Sequence, residues 1–223
     1  HDLGDSKDMR LAFSEGLANA LPAVINGSGY YADSSGLRQE RVFLFFLDEE
    51  GSNRGWFNEE TVGNVVFHLF DSDNQNEDTV TLGLAPILET LTSDAYKNSE
   101  AMTSIFLFGT VLKDRLGSTE DVEGVNALLL SSRIFGSGIF CEGEIIDSDN
   151  DISFALPVYN ELEPGQTINV CGNNRVGEYN GIDVRRFIRL SISDAGQYTV
   201  SMETTLGTGD KNPDAFIYRR GEL

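Results

Sequence analysis

Asp8-Met9-Arg10-Leu11-Ala12-Phe13-Ser14-Glu15-Gly16-Leu17-Ala18-Asn19-Ala20-Leu21 is the stretch whose reading decides the fold. Asp8 or a polar neighbour can cap a first helix running from about Met9 to Ile25. Gly27, Ser28 and Gly29 supply its stop. At helical spacing Glu15 shares a face with Leu11, Ala12, Ala18 and Asn19, most of it apolar or small. A carboxylate buried there alone would cost on the order of several kcal/mol or give up its charge. Gly16, Ala18 and Ala20 reduce bulk and let another element approach closely. A metal cation is one partner that fits. On the pattern alone, an ordinary ion pair or a helix rotated toward water is the default.

Outward from this helix the chain stays mostly helical to about residue 151. Asn58 is a good N-cap for Glu59 to Phe70, with acidic residues in the first turn where the helix dipole favours them. Val62, Val65, Val66 and Leu69 give that helix one apolar face. A short helix is expected over Leu84 to Leu91, another opened by Ser99 over Glu100 to Leu116, and a last one from Ser118 or Thr119 to about Ser132. Trp56, Val66, Phe106 and Leu129 are expected in the core. The run from Val42 to Leu47 reads as a buried strand.

After Asp147-Ser148-Asp149-Asn150-Asp151 the texture changes to short alternating segments: Thr167 to Cys171, Arg186 to Ser193, Gln197 to Glu203 and Ala215 to Tyr218. Turn residues separate them, which is the pattern of a small antiparallel β-sandwich. Ile188, Leu190 and Ile192 alternate with Arg189, Ser191 and Ser193, so one face should be buried. The expected fold class is α+β. A helical part covers residues 1–151, and a β-sandwich, incomplete at its edges, covers 152–223.

Composition limits the function classes. Lys and Arg total 16 against 36 Asp and Glu, a formal net charge of −20. That argues against nucleic acid, whose phosphates need clustered cations, and against anionic membrane surfaces. No apolar run is long enough to span a bilayer. Cys141 and Cys171 could form one disulfide or stand as two buried thiols. With no CxxC pair and no Cys/His cluster, a cysteine-based zinc site is not expected. The chain opens at His1 with neither initiator Met nor leader, which reads as a piece of a longer polypeptide.

The segment from Gly4-Asp5 through Asp8, Arg10, Ala12-Phe13, Glu15-Gly16 and Asn19-Ala20 resembles the third-ligand helix of gluzincin-type zinc metallopeptidases. In that class HExxH on one helix supplies two histidine ligands and a catalytic glutamate, and a later helix supplies a glutamate ligand. More specifically, the pattern is similar to a group of bacterial exported peptidase-like proteins, in which His1 would fall at a histidine ahead of the Gly-Asp pair. Gly55-Trp56-Phe57-Asn58-Glu59, Val66-Phe67-His68-Leu69-Phe70-Asp71 and Leu82-Gly83-Leu84-Ala85-Pro86-Ile87 fit the same group, with His68 where Asp is usual. Arg186 to Thr199 and Pro213 to Tyr218 resemble the bacterial pre-peptidase C-terminal domain, a sandwich appended to secreted proteases.

The resemblance implies that Glu15 is a zinc ligand, that the substrate is a protein or peptide, and that the setting is extracellular or periplasmic. His1, Asn19, Tyr30 and Tyr31 are the residues expected to line its cleft; a Tyr30 or Tyr31 phenol could steady an oxyanion. The departure is large. No HExxH occurs, and the chain has only two histidines, His1 and His68. Three or four protein ligands are the rule for zinc. This chain therefore supplies no catalytic residue of its own and should be inactive alone; zinc belongs to the complete protein and is not expected to bind this chain. The sandwich also stops soon after Tyr218, where further strands would be expected. The alternative reading is a non-catalytic peptidase-like scaffold with a β-sandwich adhesion module. Asp147, Asp149 and Asp151 have the alternate spacing of a calcium loop. However, Ile152 stands at its glycine position and Val158 at its final glutamate, so the run reads as a solvated linker. Asp71, Asp73, Glu77 and Asp78 read as an acidic loop. His68, among apolar helix neighbours, reads as structural.

Overall fold

The computed structural model describes residues 4–49, 51–72, 79–145, 152–176, 180–207 and 213–219. His1, Asp73, Glu77, Asp78, Asp147, Asp149 and Asp151 lie outside the described residues. The fold is α+β, with six helices among residues 9–131 and two small two-stranded sheets.

The first helix, α1 (Met9–Asn26), starts where the Asp8 carboxylate accepts the amides of Arg10 and Leu11 at 3.0 and 3.3 Å. It ends at Gly27, whose φ of 63° is left-handed backbone that glycine tolerates best. A hairpin follows, β1 (Tyr30–Ser35) against β2 (Arg41–Phe46), antiparallel with Tyr31 opposite Phe45. Next come α2 (Glu59–Phe70), α3 (Leu84–Thr92), α4 (Asp94–Lys97), α5 (Ile105–Arg115) and α6 (Thr119–Ser131). Asn58 caps α2 by accepting the amide of Thr61 at 2.9 Å. The helix expected to open at Ser99 opens instead at Ser104, whose hydroxyl accepts the amide of Leu107. Ser99 accepts only the amide of Ala101, in the turn before it.

The centre of the molecule is α2. Its burial is not confined to the face of Val62, Val65, Val66 and Leu69; Thr61, Gly63, Asn64, Phe67 and His68 are buried as well. Such a helix is enclosed on all sides. Across it lies α1, and Gly16 marks the closest approach. A Cβ added there would stand 2.5 Å from the carbonyl oxygen of Glu59 and 2.7 Å from Cβ of Val62. Opposite, a Cβ on Gly63 would meet the carbonyl oxygen of Gly16 at 3.2 Å. The crossing is built from two glycines, and a side chain on Gly16 would force the helices apart. Phe13 of α1 meets Phe108 of α5 with ring centroids 5.7 Å apart, and Trp56 meets Phe106 at 6.0 Å. Trp56, Val66, Phe106 and Leu129 are all buried, as their positions in the pattern implied.

Two expectations about strands fail. Residues of the Val42 to Leu47 run do form β2, but Val42, Phe43 and Leu44 are exposed and only Leu47, just past the strand, is buried. A two-stranded ribbon cannot cover its own faces. In the C-terminal part, β3 (Tyr159–Leu162) pairs in parallel with β4 (Phe187–Leu190), and this pair does not amount to a sandwich. Thr167 to Cys171, Gln197 to Glu203 and Ala215 to Tyr218 form no strands. Ile188, Leu190 and Ile192, expected on a buried face, are 42%, 39% and 45% exposed. Alternation makes a segment compatible with a half-buried strand, but burial needs a second layer. Cys141 and Cys171 are both thiols, Cys141 buried and Cys171 exposed. Burial pushes the Cys141 thiol well above the ordinary cysteine range.

The two parts are nevertheless joined. Ile152, Ala155, Val158 and Ile182 sit in the same buried cluster as Met9 and Trp56. Asp8 donates its amide to the carbonyl of Asn180 at 3.0 Å, and its carboxylate lies 3.2 Å from the Arg185 guanidinium. Arg10 donates to the Tyr218 hydroxyl at 2.8 Å and stacks over the rings of Phe187 and Tyr218. Asp8 and Arg10, two of the residues that carry the peptidase resemblance, thus have an architectural role.

Candidate functional site

Glu15 sits in the middle of α1, immediately before the glycine of closest approach, so its backbone is fixed by the helix crossing. The helix turns it to the border of the buried face. Ala12, one turn back, is buried; Ala18, one turn on, is exposed; Leu11, Glu15 and Asn19 are half-buried.

The nearby charge comes from α2. Glu59, in its first turn, is buried, and Lys7 Nζ approaches its carboxylate at 3.6 Å. Lys7 is itself held by its amide, which donates to the carbonyl of Phe57 at 2.8 Å. Burial raises the Glu59 pKa; Lys7 offsets part of that, and the negative charges of Glu15 and Asp5 add to it. Tyr31 feels the same field. Its phenol is pushed up first by burial, then by Asp33, Glu15 and Glu59. Its ring stacks on Phe45 at 4.9 Å. Glu15, Glu59, Lys7 and Tyr31 therefore form one electrostatically coupled group where α1, α2 and the hairpin meet.

Of the residues expected around Glu15, Tyr31 is brought there. Tyr30 is 70% exposed and packs on Phe46; adjacent strand residues point to opposite faces, so it belongs to the other side of the ribbon. Asn19 is half-buried one turn further along α1. Glu59 and Lys7 went unrecognised in the sequence. The available signal was a glutamate at the start of a helix with little polar surface elsewhere.

The donors around Glu15 are carboxylates, a phenol and an ammonium. A second carboxylate suits a cation, whereas an ammonium already opposes that charge, and no imidazole stands beside Glu15 among the described residues. These residues do not by themselves make a zinc site of the usual three or four protein ligands. His68 lies near the other end of α2, nine residues or about 14 Å from Glu59 along the helix. What the group can do unaided is hold protons on Glu59 and Tyr31, whose pKa values are raised first by burial and further by the negative charge of Glu15.

No protein-family model matches the chain, and no curated protein and no solved structure is significantly similar to it.

Proposed function

We propose that this chain is part of an exported bacterial zinc metallopeptidase that hydrolyses peptide bonds, and that α1 is its third-ligand helix. The observation that carries the reading is the pairing of Glu15 with Gly16. The glycine lets α1 rest on the α2 backbone, and this holds the half-buried glutamate at a rigid position within electrostatic reach of a second carboxylate. A metal ligand needs such support from the residues behind it. In this reading zinc would polarise a peptide carbonyl and activate water. Glu15 would offer one oxygen, Glu59 would set the local charge, and Tyr31 would border the cleft. Two histidines and the general base must come from an HExxH segment that this sequence does not contain.

A second reading, a non-catalytic peptidase-like scaffold carrying a binding module, is favoured by one observation: Lys7 already opposes the charge at Glu59. Casein hydrolysis by the complete secreted polypeptide separates the two. The peptidase reading expects activity that 1,10-phenanthroline abolishes and that Glu15→Gln lowers at least 100-fold. Activity insensitive to both treatments, or no activity from a folded, zinc-loaded polypeptide, would overturn it in favour of the scaffold. Among the described residues no helix is long and apolar enough to cross a membrane.

A further inference from the structure

A second group of metal-capable side chains lies at the opposite end of α2. Asp48, His68 and Asp71 each offer one donor atom, and these atoms all lie within 4.8 Å of one another. Asp48 and His68 are buried and Asp71 is half-buried. His68 stands in the last turn of α2 and Asp71 at its C-cap, three residues on, so both project from one side of the helix end. Asp48 arrives from the turn after β2.

That turn is fixed in register with the helix. Asn64, one turn before His68 and itself buried, donates its side-chain amide to the carbonyls of Leu47 and Glu49, at 3.0 Å for Glu49. The two carbonyls flank Asp48, so one asparagine on α2 sets Asp48 over His68. The other side of the helix end is tied by Leu82 and Gly83, whose amides donate to the carbonyl of Leu69 at 2.8 and 3.2 Å. The His68 Nδ1 to Asp48 Oδ1 separation is 3.7 Å. That is longer than a hydrogen bond. It is close to the roughly 3.4 Å between neighbouring ligands that each stand about 2.1 Å from a tetrahedral zinc.

We infer that Asp48, His68 and Asp71 form a binding site for one divalent transition-metal ion, zinc by the chemistry of its donors. One imidazole and two carboxylates suit zinc and its neighbours. Calcium and magnesium take oxygen ligands and would leave the imidazole unused. Three protein ligands leave a fourth position for water, and half-buried Asp71 next to exposed Ser72 gives the entry side. The ion would join the hairpin to the C-terminal end of α2. The site is independent of Glu15, so it can fail or stand apart from the peptidase reading.

The test is calorimetric titration of zinc into the chelator-treated 223-residue chain, with circular dichroism to confirm folding. One equivalent is expected to bind, at least 100-fold more weakly in His68→Gln and at least 10-fold more weakly in Asp71→Asn, and equally well in Glu15→Gln. Cobalt in place of zinc should give the intense visible absorption of a four-coordinate site, lost in folded His68→Gln. No binding to the folded parent chain would overturn the assignment and leave His68 as a structural side chain between two carboxylates. Binding that survives His68→Gln unchanged, or calcium displacing zinc, would also overturn it.

Discussion

Residues 9–131 and residues 159–218 answer differently to the same kind of sequence signal. In the helices of the first region, though not in its exposed hairpin, apolar periodicity coincides with burial. Phe13, Val62, Val66, Phe108 and Leu112 are enclosed, and every helix of eight residues or more except α3 starts at a side-chain cap. In the second, an alternation just as regular leaves Ile188, Leu190 and Ile192 facing water. A helix satisfies its backbone internally and needs one neighbour for its apolar stripe. A strand needs a partner on its edge and a layer on its face, and both come from elsewhere in the chain.

The comparison breaks most visibly at the helix crossing. Gly16→Val puts a side chain onto the Glu59 carbonyl, a backbone atom that cannot swing aside. The expected loss is about 3 kcal/mol or more in urea unfolding followed by circular dichroism. Ile192→Ser, a larger change in polarity, should stay within about 0.5 kcal/mol. Equal effects would mean that the two regions are equally well packed.

Arg10→Ala sharpens the comparison, because Arg10 joins α1 to both Phe187 and Tyr218. Limited proteolysis should cut within residues 187–218 several-fold faster in the variant. The unfolding midpoint of the helical region should move by only about 1–2 kcal/mol equivalent. Unchanged cleavage would show that the C-terminal segment is held by other contacts.

The smallest expected effect concerns Glu60, in the first turn of α2, whose carboxyl is pushed above its ordinary value of 4.5 by burial. A raised folded-state pKa contributes stability that is fully present below 4.5 and lost as pH rises through the folded value. Glu60→Gln should therefore gain on the parent between pH 4 and pH 7 in urea unfolding. A gain that is flat or reversed over that range would mean that the helix dipole, which favours the charge, outweighs burial.

What the sequence made legible follows the same division. Asp8, Gly27, Asn58 and Ser118 act at helix ends as their residue types imply, because a cap is settled within three or four residues. Ser104 was missed in favour of Ser99 for a related reason: either serine can cap, and only tertiary packing selects between them. Glu15 was legible as a carboxylate beside a small residue. Its neighbours Glu59 and Lys7, and the triad of Asp48, His68 and Asp71, were not, because each group unites residues 20 or more positions apart or from different elements. Asp8 and Arg10 show the converse. They stand out in the motif, yet their contacts are those of a structural joint.

The most direct test of the account is the zinc affinity of the complete secreted polypeptide with and without Glu15, measured by calorimetry in a His68→Gln background so that the second site is silent. Glu15→Gln nearly keeps shape and removes the anionic oxygen. The account predicts one equivalent of zinc in the background protein and an affinity lower by 10-fold or more when Glu15→Gln is added. Equal affinity in the two proteins would contradict it and leave Glu15 a structural carboxylate at a helix crossing.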